Sequence, residues 1–323
     1  MRMNTLLQMR LTAKQAAAQD VVELTLEPAT GGALPAVEAG AHVELHLPGG
    51  LVRPYSLCNA PGEKHRYVLG VLREASSRGG SAAVHELLQV GQVLSVGAPK
   101  NNFALRPTPA HKLLLAGGIG ITPILGMAQQ LAAQGRSFAL HYAGRSRARM
   151  AFLAALADTP LAARTQLHIG DENGSMDMDA VLAAQPEGSE LYVCGPAGFI
   201  DAALATARRL GWPESQLHRE LFAAAPREAD GEDRPFDIEL AGSGQVVHVP
   251  AGCSAAQALQ AAGVPLLTSC EQGVCGTCLT RVVAGEPEHR DQYLTPEEQA
   301  ANDQFLPCCS RARSSRLVIQ LAG

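Results

Sequence analysis

Four cysteines near the end of the chain have the spacing expected for ligands of a two-iron, two-sulfur cluster. Three of them form a C-x4-C-x2-C loop, and the fourth follows after 29 residues. This is a known spacing for [2Fe–2S] sites, whose two irons need four thiolates. Gly273 and Gly276 would let the loop curl and bring backbone N–H groups close to sulfur. The predicted ligands are Cys270, Cys275, Cys278 and Cys308.

The cysteine pattern also leaves alternatives. A structural zinc site usually pairs two short Cys-x2–4-Cys units, whereas here three cysteines sit together and the fourth is separate. Cys309 could replace Cys308 as a ligand, although adjacent residues of an extended chain point in opposite directions. Disulfides are disfavoured, because five of the eight cysteines fall between Cys270 and Cys309 and we find no export signal.

Two separate segments in the first third of the chain together predict a site for a phosphate and a planar ring. The sequence RPYSL ends a strand-like run at residues 53–57, and RGGS opens a helix at residues 78–81. A helix N-terminus attracts a phosphate, and an arginine can bind it with two hydrogen bonds. Tyrosine can lie beside a flavin ring, and serine can hydrogen-bond near its N5 atom. The candidate residues are Arg53, Tyr55, Ser56, Gly79, Gly80 and Ser81.

Two further strand-to-helix junctions predict a site for a dinucleotide. The first is KLLLAGGIGITP, in which Thr122 is a good N-cap and Pro123 a good first helical residue. The second is YVCGP, whose cysteine could instead be a small buried hydrophobic residue. Such junctions present free N–H groups to a pyrophosphate. The candidate residues are Gly117, Gly118, Gly120, Thr122, Cys194, Gly195 and Pro196.

The choice between NADH and NADPH is not fixed by the second strand of this region. The residues that follow it, Arg145 and Arg147, could hold a 2′-phosphate. No acidic residue stands there to bind a ribose 2′-hydroxyl, as NAD sites often have.

The elements that must position these residues change in character along the chain. Short alternating runs up to about residue 105 predict an antiparallel β-barrel or sandwich. Repeated strand–helix units then predict a parallel α/β sheet, and the last part reads as a compact α+β unit. Residues 225–234 are charged and rich in Ala and Pro, as expected for a linker. We therefore predict a multi-domain protein with three domains, at residues 1–108, 109–224 and 235–323.

Composition limits the possible functions. The chain has 323 residues, 46% of them hydrophobic and 18% charged, with a net charge of −5. Without a basic run, a nucleic-acid role has no electrostatic support. Gly, Pro and Gln interrupt the longest uncharged stretch, residues 113–135, so a buried strand and helix are favoured over a membrane span. The N-terminal residues lack the apolar core of a secretory signal, so we expect a cytoplasmic protein.

The order of these motifs resembles the phthalate dioxygenase reductase-type family of the ferredoxin–NADP reductase superfamily over essentially the whole chain. RPYSL with the later GGS is similar to the flavin site of that superfamily, and CCSRA to the end of the family's plant-type ferredoxin domain. The resemblance implies Cys308 rather than Cys309 as a ligand, FMN rather than FAD, and NADH. It also places Cys194 against the nicotinamide, and Phe222, from the E-x-F ending at Glu220, near the flavin. A plain core role for Phe222 is nearly as well supported.

The resemblance implies that the protein transfers electrons. NADH reduces FMN by hydride transfer, the [2Fe–2S] centre takes electrons singly, and a terminal Rieske-type oxygenase acting on an aromatic or similar small substrate receives them. Cofactors carry this chemistry, so Ser56 and Cys194 are expected to help at the flavin–nicotinamide contact. One alternative is a reductase for a cytochrome P450 or free ferredoxin, and another is an electron-transfer subunit of a larger complex. A third is a regulatory protein whose fold is held together by a structural zinc ion.

Overall fold

A computed structural model of the protein shows two compact units, Arg2–Leu221 and Phe222–Gly323. Of the predicted linker 225–234, residues 225–232 lie outside the described part of the chain, and the predicted domain boundaries stay predictions. The described residues are 6–60, 62–75, 78–157, 160–224 and 233–321.

The first unit begins with six antiparallel strands in the order β4-β3-β6-β1-β2-β5. A bridge between Leu57, just after β4, and Leu69 in β5 joins the two edge strands and closes the sheet into a barrel. Alternate side chains such as Leu24, Val43 and Val96 fill its interior. The predicted barrel is therefore confirmed. Its elements are β1 (Leu6–Ala18), β2 (Val21–Pro28), β3 (His42–His46), β4 (Val52–Ser56), β5 (Tyr67–Leu72), β6 (Val93–Gly97) and helix α1 (Gly80–Leu87).

The rest of the first unit is a five-stranded parallel sheet in the order β11-β10-β7-β8-β9, which confirms the predicted α/β class. A core with Leu114, Tyr142 and Ile124 covers one face, and a second core with Leu113 and Ile200 covers the other. Its strands are β7 (Lys112–Gly117), β8 (Phe138–Gly144), β9 (Thr165–Ile169), β10 (Glu190–Cys194) and β11 (Leu217–Glu220). Its helices are α2 (Ile121–Ala133), α3 (Leu153–Ala157), α4 (Gly170–Asn173), α5 (Met178–Ala183) and α6 (Ala197–Arg209).

The stretch 113–135 forms the buried strand β7 and helix α2, as predicted. Within the described ranges, we find no helix that is both long and apolar enough to span a bilayer.

The second unit is an α+β fold with one mixed sheet in the order β13-β12-β18-β14-β16. Its two helices both begin with capping boxes, Ser254 with Gln257 and Thr295 with Glu298. The core includes Phe305. Its elements are β12 (Phe236–Leu240), β13 (Val246–Val249), α7 (Ala255–Ala261), β14 (Thr280–Ala284), β15 (Pro287–Glu288), α8 (Pro296–Ala301), β16 (Gln304–Phe305), β17 (Arg311–Ala312) and β18 (Arg316–Gln320).

Candidate functional site

The predicted cluster ligands lie in two loops of the second unit. Three of them lie in the loop between α7 and β14, and Cys308 lies in a turn that follows β16. Gly273 and Gly276 have φ angles of 71° and 73°, a left-handed conformation that glycine adopts without strain. The loop therefore curls where the sequence predicted it would.

The four thiols interact as two pairs. The side chain of Cys275 is hydrogen-bonded to Cys270, and that of Cys278 to Cys308; this contact, together with burial, raises the pKa of both Cys275 and Cys278. Two thiol pairs suit a [2Fe–2S] cluster, because each of its two irons binds two thiolates. Iron binding would displace the protons that the crowded thiols share. In the described chain, no three His, Cys, Asp or Glu side chains form a single-ion site.

Cys309 is arranged differently from Cys308. Its sulfur lies 3.8 Å from the carbonyl oxygen of Leu306 and 3.8 Å from the hydroxyl of Ser310. A hydrogen bond from Cys308 lowers its pKa. The pairing with Cys278 thus involves Cys308, which favours Cys308 as the fourth ligand.

The two segments of the predicted flavin site meet at the start of α1. Arg53 is buried, and a Cβ on Gly80 would come within 2.6 Å of its Cγ, so only glycine lets the arginine lie across the helix start. Gly79 precedes the helix with a φ of 88°. The Ser81 hydroxyl accepts a hydrogen bond from the backbone N–H of Glu74 at 3.1 Å. The structure thus brings a guanidinium to a helix N-terminus, which is the chemistry that a phosphate group needs.

Tyr55 and Ser56 end strand β4 beside this helix start. Tyr55 is half-buried, and burial raises its pKa to about 12. Ser56 is buried, and its hydroxyl is hydrogen-bonded to the carboxyl group of Glu220 at the end of β11. The other carboxyl oxygen of Glu220 is buried, with no hydrogen-bond partner among the described residues. An orphaned polar atom of this kind fits a place where a bound cofactor supplies the missing partner.

The two nicotinamide motifs lie against each other across the sheet. A Cβ on Gly120 would come within 2.6 Å of the backbone nitrogen of Gly195, and one on Gly117 within 3.0 Å of Pro196. Glycine is therefore required for the two junctions to meet. Gly118 adopts a left-handed φ of 52°.

The predicted N-cap role of Thr122 is wrong. Helix α2 begins at Ile121 with Gly120 as its N-cap, and the Thr122 hydroxyl donates to the carbonyl oxygen of Ile119 at 3.0 Å. The physical reason is a short 3₁₀ turn at Gly118–Gly120, which runs directly into the helix and starts it earlier than the sequence suggested.

Cys194 lies at the end of β10, directly opposite Glu220 on β11. It is fully buried, and burial raises the pKa of its thiol well above the usual value. Sequence reasoning noted Glu220 only as part of the E-x-F ending and did not select it as a site residue. Phe222 is 40% exposed and begins the second compact unit, so its role near the flavin stays a prediction.

One of the arginines that follow β8 has an acidic partner in the segment that follows the next strand, β9. Arg147 donates two hydrogen bonds to Glu172, Nε to Oε1 at 3.0 Å and Nη2 to Oε2 at 2.8 Å. The backbone N–H of Asp171 donates to the carbonyl oxygen of Arg145 at 3.1 Å. The sequence did not reveal this pair, because Glu172 follows strand β9 and not β8.

Known proteins with the same arrangement identify the chain. Residues 238–313 match the 2Fe-2S iron-sulfur cluster binding domain, and residues 99–217 match the N-terminal domain of the dimethylamine monooxygenase subunit DmmA-like family. A vanillate O-demethylase oxidoreductase of a Pseudomonas species is 51% identical, with 96% of this chain and 98% of that protein covered. The solved phthalate dioxygenase reductase is 36% identical with a TM-score of 0.77, and 98% of both chains is covered. The chain belongs to the phthalate dioxygenase reductase-type family.

As a member of this reductase family, the chain is an NADH-dependent flavin and iron–sulfur oxidoreductase, and it is the electron-transfer component of an oxygenase system. Residues 238–313 form its [2Fe–2S] cluster-binding domain. A self-sufficient cytochrome P450 monooxygenase is also similar, at 38% identity and a TM-score of 0.85 over 98% of this chain. This chain spans only 41% of that P450 chain.

Proposed function

We propose that this reductase passes electrons from NADH, through FMN and the [2Fe–2S] cluster, to the Rieske centre of a terminal oxygenase. The oxygenase acts on an aromatic or similar small substrate. We also propose that it works in the cytoplasm, where NADH is present and thiols stay reduced. The flavin, nucleotide and ferredoxin domains are assigned to residues 1–108, 109–224 and 235–323, joined by residues 225–234.

One observation carries the proposal: Ser56 of the flavin motif is hydrogen-bonded to Glu220, and Cys194 of the nicotinamide motif lies directly opposite Glu220 in the sheet. When bound, FMN would accept a hydride and donate electrons one at a time. No side chain has to perform this chemistry. Ser56 and Glu220 would lie at the contact between the flavin and the nicotinamide and orient it. Buried Cys194 gives that contact an apolar, water-free edge.

The other residues bind and orient. Arg53, held across Gly80, offers charge to the flavin phosphate together with the N-terminus of α1. Gly117, Gly118 and Gly120 let the backbone approach the pyrophosphate of the dinucleotide. The two thiol pairs would each hold one iron of the cluster.

The preference for NADH is supported by the Arg147–Glu172 pair. A carboxylate at the crevice edge accepts hydrogen bonds from ribose hydroxyls but repels a 2′-phosphate. Because Glu172 already engages Arg147 with both oxygens, the arginine is not available as a dedicated phosphate clamp.

An anaerobic titration with NADH, followed by visible absorbance, tests the proposal. We expect the flavin and the iron–sulfur bands to bleach together. Cys275→Ser is the matched variant, in which only the flavin band should respond. Bleaching of flavin alone in the unmodified protein would mean that electrons do not reach the cluster.

The identity of the acceptor needs a second experiment. Since the vanillate O-demethylase oxidoreductase is similar over its whole length, a Rieske oxygenase component of that type is the first acceptor to mix with NADH-reduced protein. We expect the EPR signal of the reduced Rieske centre to appear within the turnover time.

A cytochrome P450 is the second candidate acceptor, because of the similarity to the reductase part of a self-sufficient P450. Faster electron transfer to a P450 haem than to any Rieske centre tried would favour it. If the purified chain does not oxidise NADH with cytochrome c or ferricyanide either, it is instead an electron-transfer subunit that works only within a larger complex.

A further inference from the structure

The segment His289-Arg290-Asp291 has no role in the function proposed so far, yet it packs against the ligand loop. A Cβ on Gly273 would lie 2.9 Å from the Cβ of Asp291 and 3.0 Å from its Cα. The backbone N–H of Gln292 donates to the carbonyl oxygen of Gly273 at 3.0 Å. Gly273 lies between Cys270 and Cys275 in the loop. Asp291 is therefore held in van der Waals contact with the segment that would wrap the cluster.

The carboxyl group of Asp291 is fully buried, with a side-chain exposure of 0%. Its Oδ2 accepts a hydrogen bond from the backbone N–H of Leu294 at 2.8 Å, and its Oδ1 accepts one from the Ser310 hydroxyl at 3.3 Å. Ser310 lies two residues after Cys308. Both ends of the carboxyl group are thus tied to segments that surround the predicted cluster.

Neighbouring cations do not neutralise this carboxylate directly. The guanidinium of Arg290 instead forms ion pairs with Glu288 and Asp233, each with an N–O distance of 2.8 Å. His289 has its Nδ1 3.6 Å from Oδ1 of Asp291, and its Nε2 lies 3.2 Å from Oδ1 of Asn302. At 3.6 Å the Nδ1 of His289 makes no hydrogen bond to Asp291, and it has no other hydrogen-bond partner among the described residues.

A buried negative charge beside the cluster affects its two oxidation states unequally. A cluster held by four thiolates is an anion, and one-electron reduction makes it more negative. Repulsion from a neighbouring carboxylate therefore destabilises the reduced state more than the oxidised state. The effect is strong for a buried group, because neither water nor salt screens it well. Charge close to an iron–sulfur cluster is a recognised determinant of its potential.

We propose that Asp291 sets the reduction potential of the [2Fe–2S] cluster, holding it low through its buried charge rather than by ligation. This inference rests on the proposed cluster ligands. A low potential makes the reduced cluster a stronger donor, so the onward step to the acceptor is more favourable. Asp291 is thus a positioning residue for electron transfer, and its role is electrostatic.

Asp291→Asn tests this with little change in shape. The amide oxygen can accept from Leu294, and the amide nitrogen can donate to the hydroxyl oxygen of Ser310. Potentials are measured with dithionite and mediators, following visible absorbance and the EPR signal of the reduced cluster. We expect a more positive midpoint, with reduction favoured about tenfold, which corresponds to about 59 mV for one electron. The shift should persist at high ionic strength.

Glu297→Gln is the control, because Glu297 is an exposed acid of the same unit and its loss should leave the midpoint in place. If Asp291→Asn loses the cluster, Asp291→Ser is the second neutral variant, since its hydroxyl can still accept from Leu294. An unchanged midpoint in a cluster-loaded variant, or loss of the cluster in both, overturns the inference and leaves Asp291 a structural residue. Because dithionite bypasses NADH and FMN, failure of the proposed electron pathway would show separately, in the NADH titration.

Discussion

Ser56, at the end of barrel strand β4, is hydrogen-bonded to Glu220, at the end of strand β11 in the parallel sheet. The two residues come from the two halves of the first compact unit, and each ends the strand that carries its motif. Burial raises the pKa of Glu220 to about 8, and the Ser56 hydrogen bond opposes that rise only partly. The proposed cofactor contact therefore contains a carboxyl group that is largely protonated at neutral pH.

The raised pKa of Glu220 makes stability depend on pH. Its ordinary value is 4.5 and its folded value about 8, so its stabilising contribution is complete below 4.5 and is lost as pH rises through 8. Relative to Glu220→Gln, the unmodified protein should lose on the order of a few kcal/mol between pH 5 and 9. Urea unfolding of the holoprotein across this range measures the difference.

Glu187→Gln, at an exposed position, is the matched control and should follow the pH profile of the unmodified protein. If the pH profiles of the unmodified protein and Glu220→Gln were parallel, the pKa of Glu220 would be the same in the folded and the unfolded protein.

Cys194→Ala should slow hydride transfer from NADH to the flavin. The side chain would fill the buried edge of the proposed contact between the two rings, and misplacement of reacting groups costs about tenfold to a hundredfold in rate. Stopped-flow absorbance at the flavin band gives the rate. Cys253→Ala is the control, because Cys253 is a free cysteine of the other compact unit and lies outside the cluster loop. Equal rates for Cys194→Ala and the unmodified protein would end any catalytic role for Cys194.

Cys308→Ser should lose the iron–sulfur spectrum, whereas Cys309→Ser should keep it. Cys308 is the thiol paired with Cys278, and Cys309 instead lies near Leu306 and Ser310. Iron content, visible absorbance and the EPR signal of the reduced cluster distinguish the two variants. The opposite pattern would move the fourth ligand to Cys309.

Glu172→Gln should make NADPH a better substrate. Loss of the carboxylate removes repulsion of the 2′-phosphate and frees Arg147, so the ratio of kcat/KM for NADPH to that for NADH should rise by about tenfold. Steady-state reduction of ferricyanide with each nucleotide measures it. Adding Arg147→Ala to Glu172→Gln should abolish the gain. No change in the ratio would place the ribose specificity elsewhere.

Local sequence patterns predicted the architecture well, because alternation, strand–helix repeats and glycine junctions act over a few residues. They failed where packing shifted an element, as at Thr122, where the preceding turn started the helix early. Helix α8 was not predicted, although its capping box, Thr295 with Glu298, can be read from the sequence.

The sequence by itself determined the types and order of the cofactor-binding motifs, since each depends on neighbouring residues with a defined spacing. Only the tertiary structure decided which side chains meet between motifs. Glu220 joins Ser56, Glu172 joins Arg147, and the buried Lys112 pairs with Glu190 at 2.9 Å, 78 residues away. These partners stand at or next to the ends of strands that lie close together in the fold but are far apart in the sequence. Their identity is therefore set by strand order and packing, which short-range patterns do not encode.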